Sequence, residues 1–376
     1  MPRTAPTNAY PAAPRYEVVR PAVVFVGADL STGGGVNKVI RDLSAIFSSQ
    51  LGLDVTVLSA RSAARPTYEF PTGTKIEFAS KEAKGLLAYI RMLLSMRHRR
   101  FQYAFGFWSQ DNILLALALL GSGTKVVLCE HAPHELASWG VRVLRRLIYP
   151  LAELVTVLNT NDLAYYRKFL KRVALVPNPV PAAPPARPLR EKLIIAIGHL
   201  VPLKGFEDFL RAVRTTQLPA HGWRFAIIGD GPELERLRCL ARALGLNVEF
   251  VPQTCSIHEW YSRATMIAIT SRVESFSLVL AEAVAAGVVP AAYATSGPAD
   301  LLESFPELLA PAGDYRRLGE ILTNLAEAGD LSDRRASLRK SFETRFSPDT
   351  VGEQWRALLR GGSRPVAPVQ CGKQIT

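Results

Sequence analysis

Glu274 and Glu282 bracket the run Ser275-Phe276-Ser277-Leu278-Val279-Leu280-Ala281, which carries no charge and is largely apolar. An unpartnered carboxylate in such surroundings costs free energy or protonates, and a folding core has no use for two of them. The segment therefore points to a bound polar ligand, for which a sugar nucleotide is the candidate. Glu274 falls in a loop after a strand and Glu282 about one turn into the next helix, with that helix's free amides between them. The amides would take a diphosphate, and each carboxylate would accept from sugar hydroxyls.

Two glycine-bearing turns precede this segment. Gly198-His199-Leu200-Val201-Pro202-Leu203-Lys204-Gly205 follows a buried strand and sets Lys204 near a helix start, where the helix dipole already favours an anion. Gly229-Asp230-Gly231-Pro232 follows the next strand and, taken alone, is a tight turn with proline at the first helical position.

Taken in order, Gly198 to Gly205, Gly229 to Pro232 and Glu274 to Glu282 resemble the second domain of the retaining GT-B glycosyltransferases of family four, whose signature is two glutamates separated by seven residues. Ser296-Gly297-Pro298 is similar to the family as well, as are Gly33-Gly34-Gly35, Glu130-His131 and Pro177-Asn178 in the first half. The resemblance implies that Glu282 binds the nucleotide ribose and Glu274 faces the transferred sugar. It further implies that Ser275, Phe276, Ser277, Leu278 and Val279 offer backbone amides, that Lys204 pairs with the diphosphate, and that His131 contacts the transferred sugar near the reacting centre. His131, Glu274 and Lys204 are then the catalytic set, and Gly34, Gly35, Gly198, His199, Gly229 and Gln253 join the donor-binding set. Position 199 departs from the pattern, because the family usually has arginine there and a neutral histidine donates one hydrogen bond without a fixed charge. Glu130 and His134, beside His131, read as loop residues.

The implied reaction retains configuration without a glycosidase-type nucleophile: the leaving diphosphate itself receives the acceptor's proton. The chain has no Asp-x-Asp motif, so no metal is expected and Lys204 would supply the counter-charge. No cofactor is expected beyond the nucleotide-diphosphate sugar as co-substrate, a UDP-sugar being favoured over GDP-mannose.

Elements must hold these residues in place, and the pattern predicts α/β architecture with two doubly wound Rossmann-like domains facing a central cleft. Buried-strand runs at 22–27, 54–59, 104–107, 125–129 and 154–158 alternate with helical stretches, and the alternation restarts at 193–198, 224–228, 248–251 and 266–269. The divisions expected are a disordered tail over 1–20, an acceptor-side domain over 21–178, a proline-rich linker over 179–190 and a sugar-nucleotide domain over 191–346. A helix over 347–360 would cross back to the first domain, and 361–376 would be a second disordered tail. Ligands bind such sheets at the carboxyl ends of their strands, which places the donor between the domains.

At 376 residues, with 48% hydrophobic and 21% charged residues, the chain suits two globular domains. The net charge of +12 needs a partner. Residues 86–100 and 139–149 combine basic residues with helical apolar spacing, which suits an anionic membrane surface, and no nucleic-acid motif accompanies them. A saccharide or lipid-linked saccharide acceptor for envelope polysaccharide synthesis is the corresponding expectation, with the protein in the cytoplasm and peripheral on the inner face of the cell membrane. There is no signal-peptide pattern or spanning segment, and four scattered cysteines show no metal or disulfide spacing. Two other classes fit less well. A nicotinamide-dependent oxidoreductase should carry G-x-G-x-x-G after its first strand, which Gly33-Gly34-Gly35-Val36-Asn37-Lys38 does not match, and a noncatalytic basic adaptor leaves Glu274 and Glu282 without purpose.

Overall fold

The computed structural model describes residues 20–27, 29–59, 65–78, 86–183, 190–253 and 256–361. All but Arg20 of the expected N-terminal tail, most of the C-terminal one and residues 184–189 of the proline-rich segment lie outside the described residues.

The first half builds one parallel sheet from β1 (Ala22–Gly27), β2 (Asp54–Ser59), β3 (Lys75–Phe78), β4 (Tyr103–Gly106), β5 (Lys125–Cys129), β6 (Leu154–Val157) and β7 (Val173–Leu175), in the order β3-β2-β1-β4-β5-β6-β7. Its helices are α1 (Gly35–Ser49), α2 (Leu86–Ser95), α3 (Ser109–Ala118), α4 (Trp139–Ile148) and α5 (Thr160–Arg167). The second half repeats the plan with β8 (Glu191–Ile197), β9 (Arg224–Ile228), β10 (Val248–Val251), β11 (Ala264–Ile269), β12 (Val289–Tyr293) and β13 (Leu309–Ala310), ordered β10-β9-β8-β11-β12-β13. Its helices are α6 (Phe206–Arg214), α7 (Leu234–Ala243), α8 (Ile257–Arg263), α9 (Leu278–Ala285), α10 (Ser296–Leu301), α11 (Tyr315–Glu327), α12 (Ser332–Phe346) and α13 (Pro348–Leu359).

All registered strand pairs are parallel, and helices cover both faces, so inner strands are apolar end to end: Val23, Val24, Phe25 and Val26 of β1 are all buried. Strand order reverses between β1 and β4 in the first sheet and between β8 and β11 in the second. Loops diverge at such points and leave a crevice, which is where open α/β sheets bind ligands. The loops leading to Gly33–Gly35, Lys204 and Glu274 all leave these strands.

Four strands escape the sequence pattern, namely β3, β7, β12 and β13. β12 contains Pro290, a residue that argues against an inner strand. Here β13 pairs with β12 only at Ala292 and Tyr293, so one side of β12 is unpaired at Pro290 and the missing N–H costs no ladder bond there.

Helix α13 follows the second-domain elements yet packs on the first sheet's core. Ser347 caps it by accepting from the Thr350 amide at 3.3 Å, and Pro348 opens it. Buried Val351 and Trp355 face α1, with the Trp355 ring centroid 5.5 Å from Phe47 and 5.6 Å from Phe105 in edge-on contacts. Trp355→Ala should therefore lower the unfolding free energy by about 3–5 kcal/mol, readable in chemical denaturation. A loss below about 1 kcal/mol would mean that α13 contributes little to holding the halves together.

Candidate active site between the two sheets

The site forms around the first turn of α9. Ser277, its N-cap, has φ 69° and is the one non-glycine residue with positive φ among the described residues. That conformation costs about 1–3 kcal/mol and persists only where neighbours dictate it. They do so here: the Glu274 carbonyl accepts from the Gly297 amide at 2.8 Å, and the Ser275 carbonyl accepts from Asn159 Nδ2, across from the first sheet, at 3.0 Å. Phe276 then turns inward against Phe346.

Both glutamates lie partly exposed here, and each holds a lysine. Lys204 Nζ is 2.7 Å from Glu274 Oε2, beside a recess lined by Ile197, Thr270, Ser277 and Val279. Lys38 Nζ, from α1 of the first half, is 2.5 Å from Glu282 Oε1, and the Tyr261 hydroxyl donates to Glu282 Oε2 at 3.3 Å. The carboxylates are thus compensated in the free protein, which corrects the picture of two unpartnered charges. Lys38 was not among the residues singled out from sequence. The available signal was a cation one turn into the helix that follows a glycine turn.

The glycine turn itself is shaped by the facing half. A Cβ on Gly35 would sit 2.9 Å from Leu278 Cδ1, and one on Gly33 3.1 Å from Gln253 Nε2, whereas Gly34 meets nothing within 4 Å. Gly198 and Gly229 are pressed together in the same way, since a Cβ on Gly229 would fall 2.0 Å from the Gly198 carbonyl oxygen. His199 is exposed on the rim, its Nδ1 2.7 Å from the Asp230 carbonyl oxygen, and Asp230 Oδ2 accepts from the Gln253 amide at 2.7 Å. His199, Gly229 and Gln253 thus form one edge of the cleft.

His131 follows β5 and is half-buried against Phe107, with ring centroids 5.6 Å apart. Burial pushes its pKa down to about 4, so the imidazole is neutral near pH 7 and offers one N–H donor and one acceptor.

Its neighbours have structural partners. Glu130 does lie in the loop just after β5, but it is buried there, held by Arg145 Nη2 at 2.7 Å, Asn112 Nδ2 at 2.9 Å, Ser109 Oγ at 3.0 Å and the Tyr149 hydroxyl. Arg145, counted from sequence with a basic membrane-suited helix, is therefore inside the protein, because a buried carboxylate demands a cation. His134 lies 2.7 Å from Asp162 Oδ1, stacks on Tyr165 at 4.1 Å, and with Asp162 supports Asn159, whose side chain donates to Asp162 Oδ2 at 2.7 Å. With Glu135 these two make a group whose side-chain atoms would suit a metal ion. Their internal hydrogen bonds already account for the arrangement, which braces the Asn159 contact to the loop at Ser275.

Comparison with known proteins bears on the family and the fold. The family model for glycosyl transferases group 1 matches residues 182–341. An amylovoran biosynthesis glycosyltransferase from Erwinia amylovora is 28% identical over 355 residues, 88% of this chain and 97% of that protein. An exopolysaccharide phosphotransferase from Streptomyces coelicolor is 35% identical over 61% of this chain, which spans only 25% of that longer relative. Among solved structures, HepE from Anabaena in complex with UDP and glucose superposes with a TM-score of 0.76 at 18% identity, covering 90% of this chain and 99% of that one, and so shares the two-domain GT-B fold.

The lowered pKa of His131 has a thermodynamic consequence. Between about pH 6.5 and about 4 the unfolded chain protonates this histidine and the folded chain does not. Stability must then fall as pH drops through that window. In His131→Gln this contribution vanishes, so the melting-temperature gap between wild type and variant should shift in the variant's favour on acidification; a gap constant from pH 7 to 4 would count against a desolvated imidazole.

Proposed function

We propose that the chain is a group 1 glycosyl transferase, which moves a hexose-type sugar from a nucleotide-diphosphate sugar to a lipid-linked saccharide with retention of configuration. The observation that carries the reading is the convergence of Glu274, Glu282 and Lys204 around the start of α9. In this reading Glu282 accepts from the ribose hydroxyls and Glu274 from those of the transferred sugar. The diphosphate lies against Lys204 and the free amides of α9, whose positive end suits an anion.

As the anomeric carbon–oxygen bond breaks, negative charge grows on the leaving phosphate oxygen. Lys204 and the amides stabilise it in place, without reorganisation at the moment of reaction. The acceptor hydroxyl forms the new bond on the same face and its proton passes to the departing phosphate oxygen. Neutral His131 would hold the sugar's position by a hydrogen bond. Lys204 occupies the counter-charge role that a metal would otherwise fill, so transfer is expected to proceed without one. The complex of HepE with UDP and glucose supports a UDP-sugar as donor.

For the acceptor side, the support is a surface. Helix α3 packs between α2 and α4, and the three present Leu86, Leu87, Leu117, Trp139, Leu144 and Leu147 to solvent, with Trp139 80% exposed. Exposed Arg91, Arg100 and Arg146 accompany this face. Apolar side chains beside arginines suit insertion among anionic headgroups, which would bring a membrane-held acceptor to the cleft. No helix among the described residues is long and apolar enough to cross a membrane.

The deciding assay is release of nucleoside diphosphate from a panel of nucleotide sugars. Glu282→Ala should raise the donor KM tenfold or more, about 1.4 kcal/mol of lost binding, while His131→Ala mainly lowers kcat. EDTA should leave transfer intact. Unchanged kinetics in both variants would remove the site, and abolition by EDTA would remove Lys204 as the counter-charge. For the surface, wild type should sediment with anionic vesicles at low salt, and the double variant Trp139→Ala, Leu147→Ala should lose most of that binding. Failure of wild type to bind such vesicles would sink the membrane reading.

A further inference from the structure

Lys38 has no place in the donor site as read so far, yet it occupies the carboxylate to which the ribose is assigned. Its ammonium lies 2.5 Å from Glu282 Oε1, and both side chains are mostly shielded, at 21% and 17% exposure. The contact joins α1, just beyond the glycine turn at the first sheet's reversal point, to α9 of the second half. The other carboxylate near Lys38, Asp42 one turn further along α1, is held by Arg41 Nε at 2.8 Å, which leaves Glu282 to Lys38. A Cβ on Gly35 would meet Leu278 Cδ1 at 2.9 Å, so the start of α1 is seated against the first turn of α9. An ion pair so placed differs from the solvated surface pairs that contribute little.

Four groups therefore balance in the free protein: Lys38 with Glu282 and Lys204 with Glu274. A nucleotide sugar brings hydroxyls, which are neutral donors, and a diphosphate, which brings negative charge and no counter-ion. Hydroxyls can replace an ammonium on a carboxylate. They cannot replace one on a phosphate, whose charge in a shielded cleft demands cations.

We propose that Lys38 is a second diphosphate-binding residue, held in reserve on Glu282 and released to the phosphates when ribose hydroxyls take over that carboxylate. Donor binding is then an exchange of partners in which Lys204 and Lys38 move from glutamates to phosphates. Because Lys38 comes from the first half and Lys204 from the second, the diphosphate also ties the two halves across the cleft. This inference rests on the donor site proposed above.

The test is calorimetric titration of the full chain with UDP and with uridine, and in parallel with GDP and guanosine, for wild type, Lys38→Met and Lys38→Arg. Lys38→Met should weaken diphosphate binding at least tenfold while leaving nucleoside binding equal or tighter, since the carboxylate no longer has to shed its lysine. Lys38→Arg should keep the wild-type preference for diphosphate over nucleoside, which separates charge from shape. Lys38→Met that binds both ligands like wild type would make the contact a bystander, and equal weakening of both would make Lys38 a prop of the cleft wall; either result overturns the exchange. Wild type that binds neither pair would overturn the donor reading and this inference with it, whereas tight wild-type UDP binding undiminished in Lys38→Met would overturn this inference alone.

Discussion

A carboxylate in a shielded cleft must be compensated at every stage, with ligand or without, and the organisation around α9 follows from that constraint. Glu274 and Glu282 are mostly shielded from solvent, at 15% and 17% exposure, and a cation beside each stabilises its charge. In the free protein two lysines do so, one from each half. The compensation makes the site dependent on the approach of the two sheets: were the halves apart, Glu282 would keep only the Tyr261 hydroxyl as a partner among the described contacts.

That approach is itself supported by polar contacts between the halves. Asn159 reaches the Ser275 carbonyl, the Thr160 amide and hydroxyl meet Asp300 at 2.6 and 2.8 Å, and Asn161 meets Ser296 at 3.3 Å. All three residues sit at the start of α5, and Asp162 and His134 brace that start from behind. The strained Ser277 is held in its left-handed conformation because the preceding carbonyls are fastened from two sides. In the first half, the buried Glu130–Arg145 pair fixes the end of β5 directly before His131. Breaking one partner of such a pair leaves a charge inside the protein, so the position of His131 depends on a group that does not face the cleft.

Much of this is legible in the amino-acid sequence. The parallel strands announce themselves because inner strands covered on both faces are continuous apolar runs, and the paired glutamates stand out because they interrupt such a run. What was missed has a common physical origin. β12 was hidden by Pro290, which is tolerated only because its neighbour strand is too short to need that N–H. Arg145 looked like one more base on an amphipathic helix, since local spacing says nothing about a carboxylate 15 residues upstream that folds beneath it. The partner of Lys38 lies 244 residues away, beyond any local pattern.

The amino-acid sequence by itself determined which groups carry charge and which turns admit close backbone approach, and hence the two doubly wound halves and the carboxylates of α9. Those are properties of residue type and short-range spacing: hydrophobic periodicity, glycine at the turns, an acid within an apolar run. Tertiary structure alone decided who compensates whom. Coulomb attraction and desolvation act between groups brought together by the folded chain, so the pairing of Lys38 with Glu282, of Lys204 with Glu274 and of Arg145 with Glu130 exists only once the two sheets and their helices are in place.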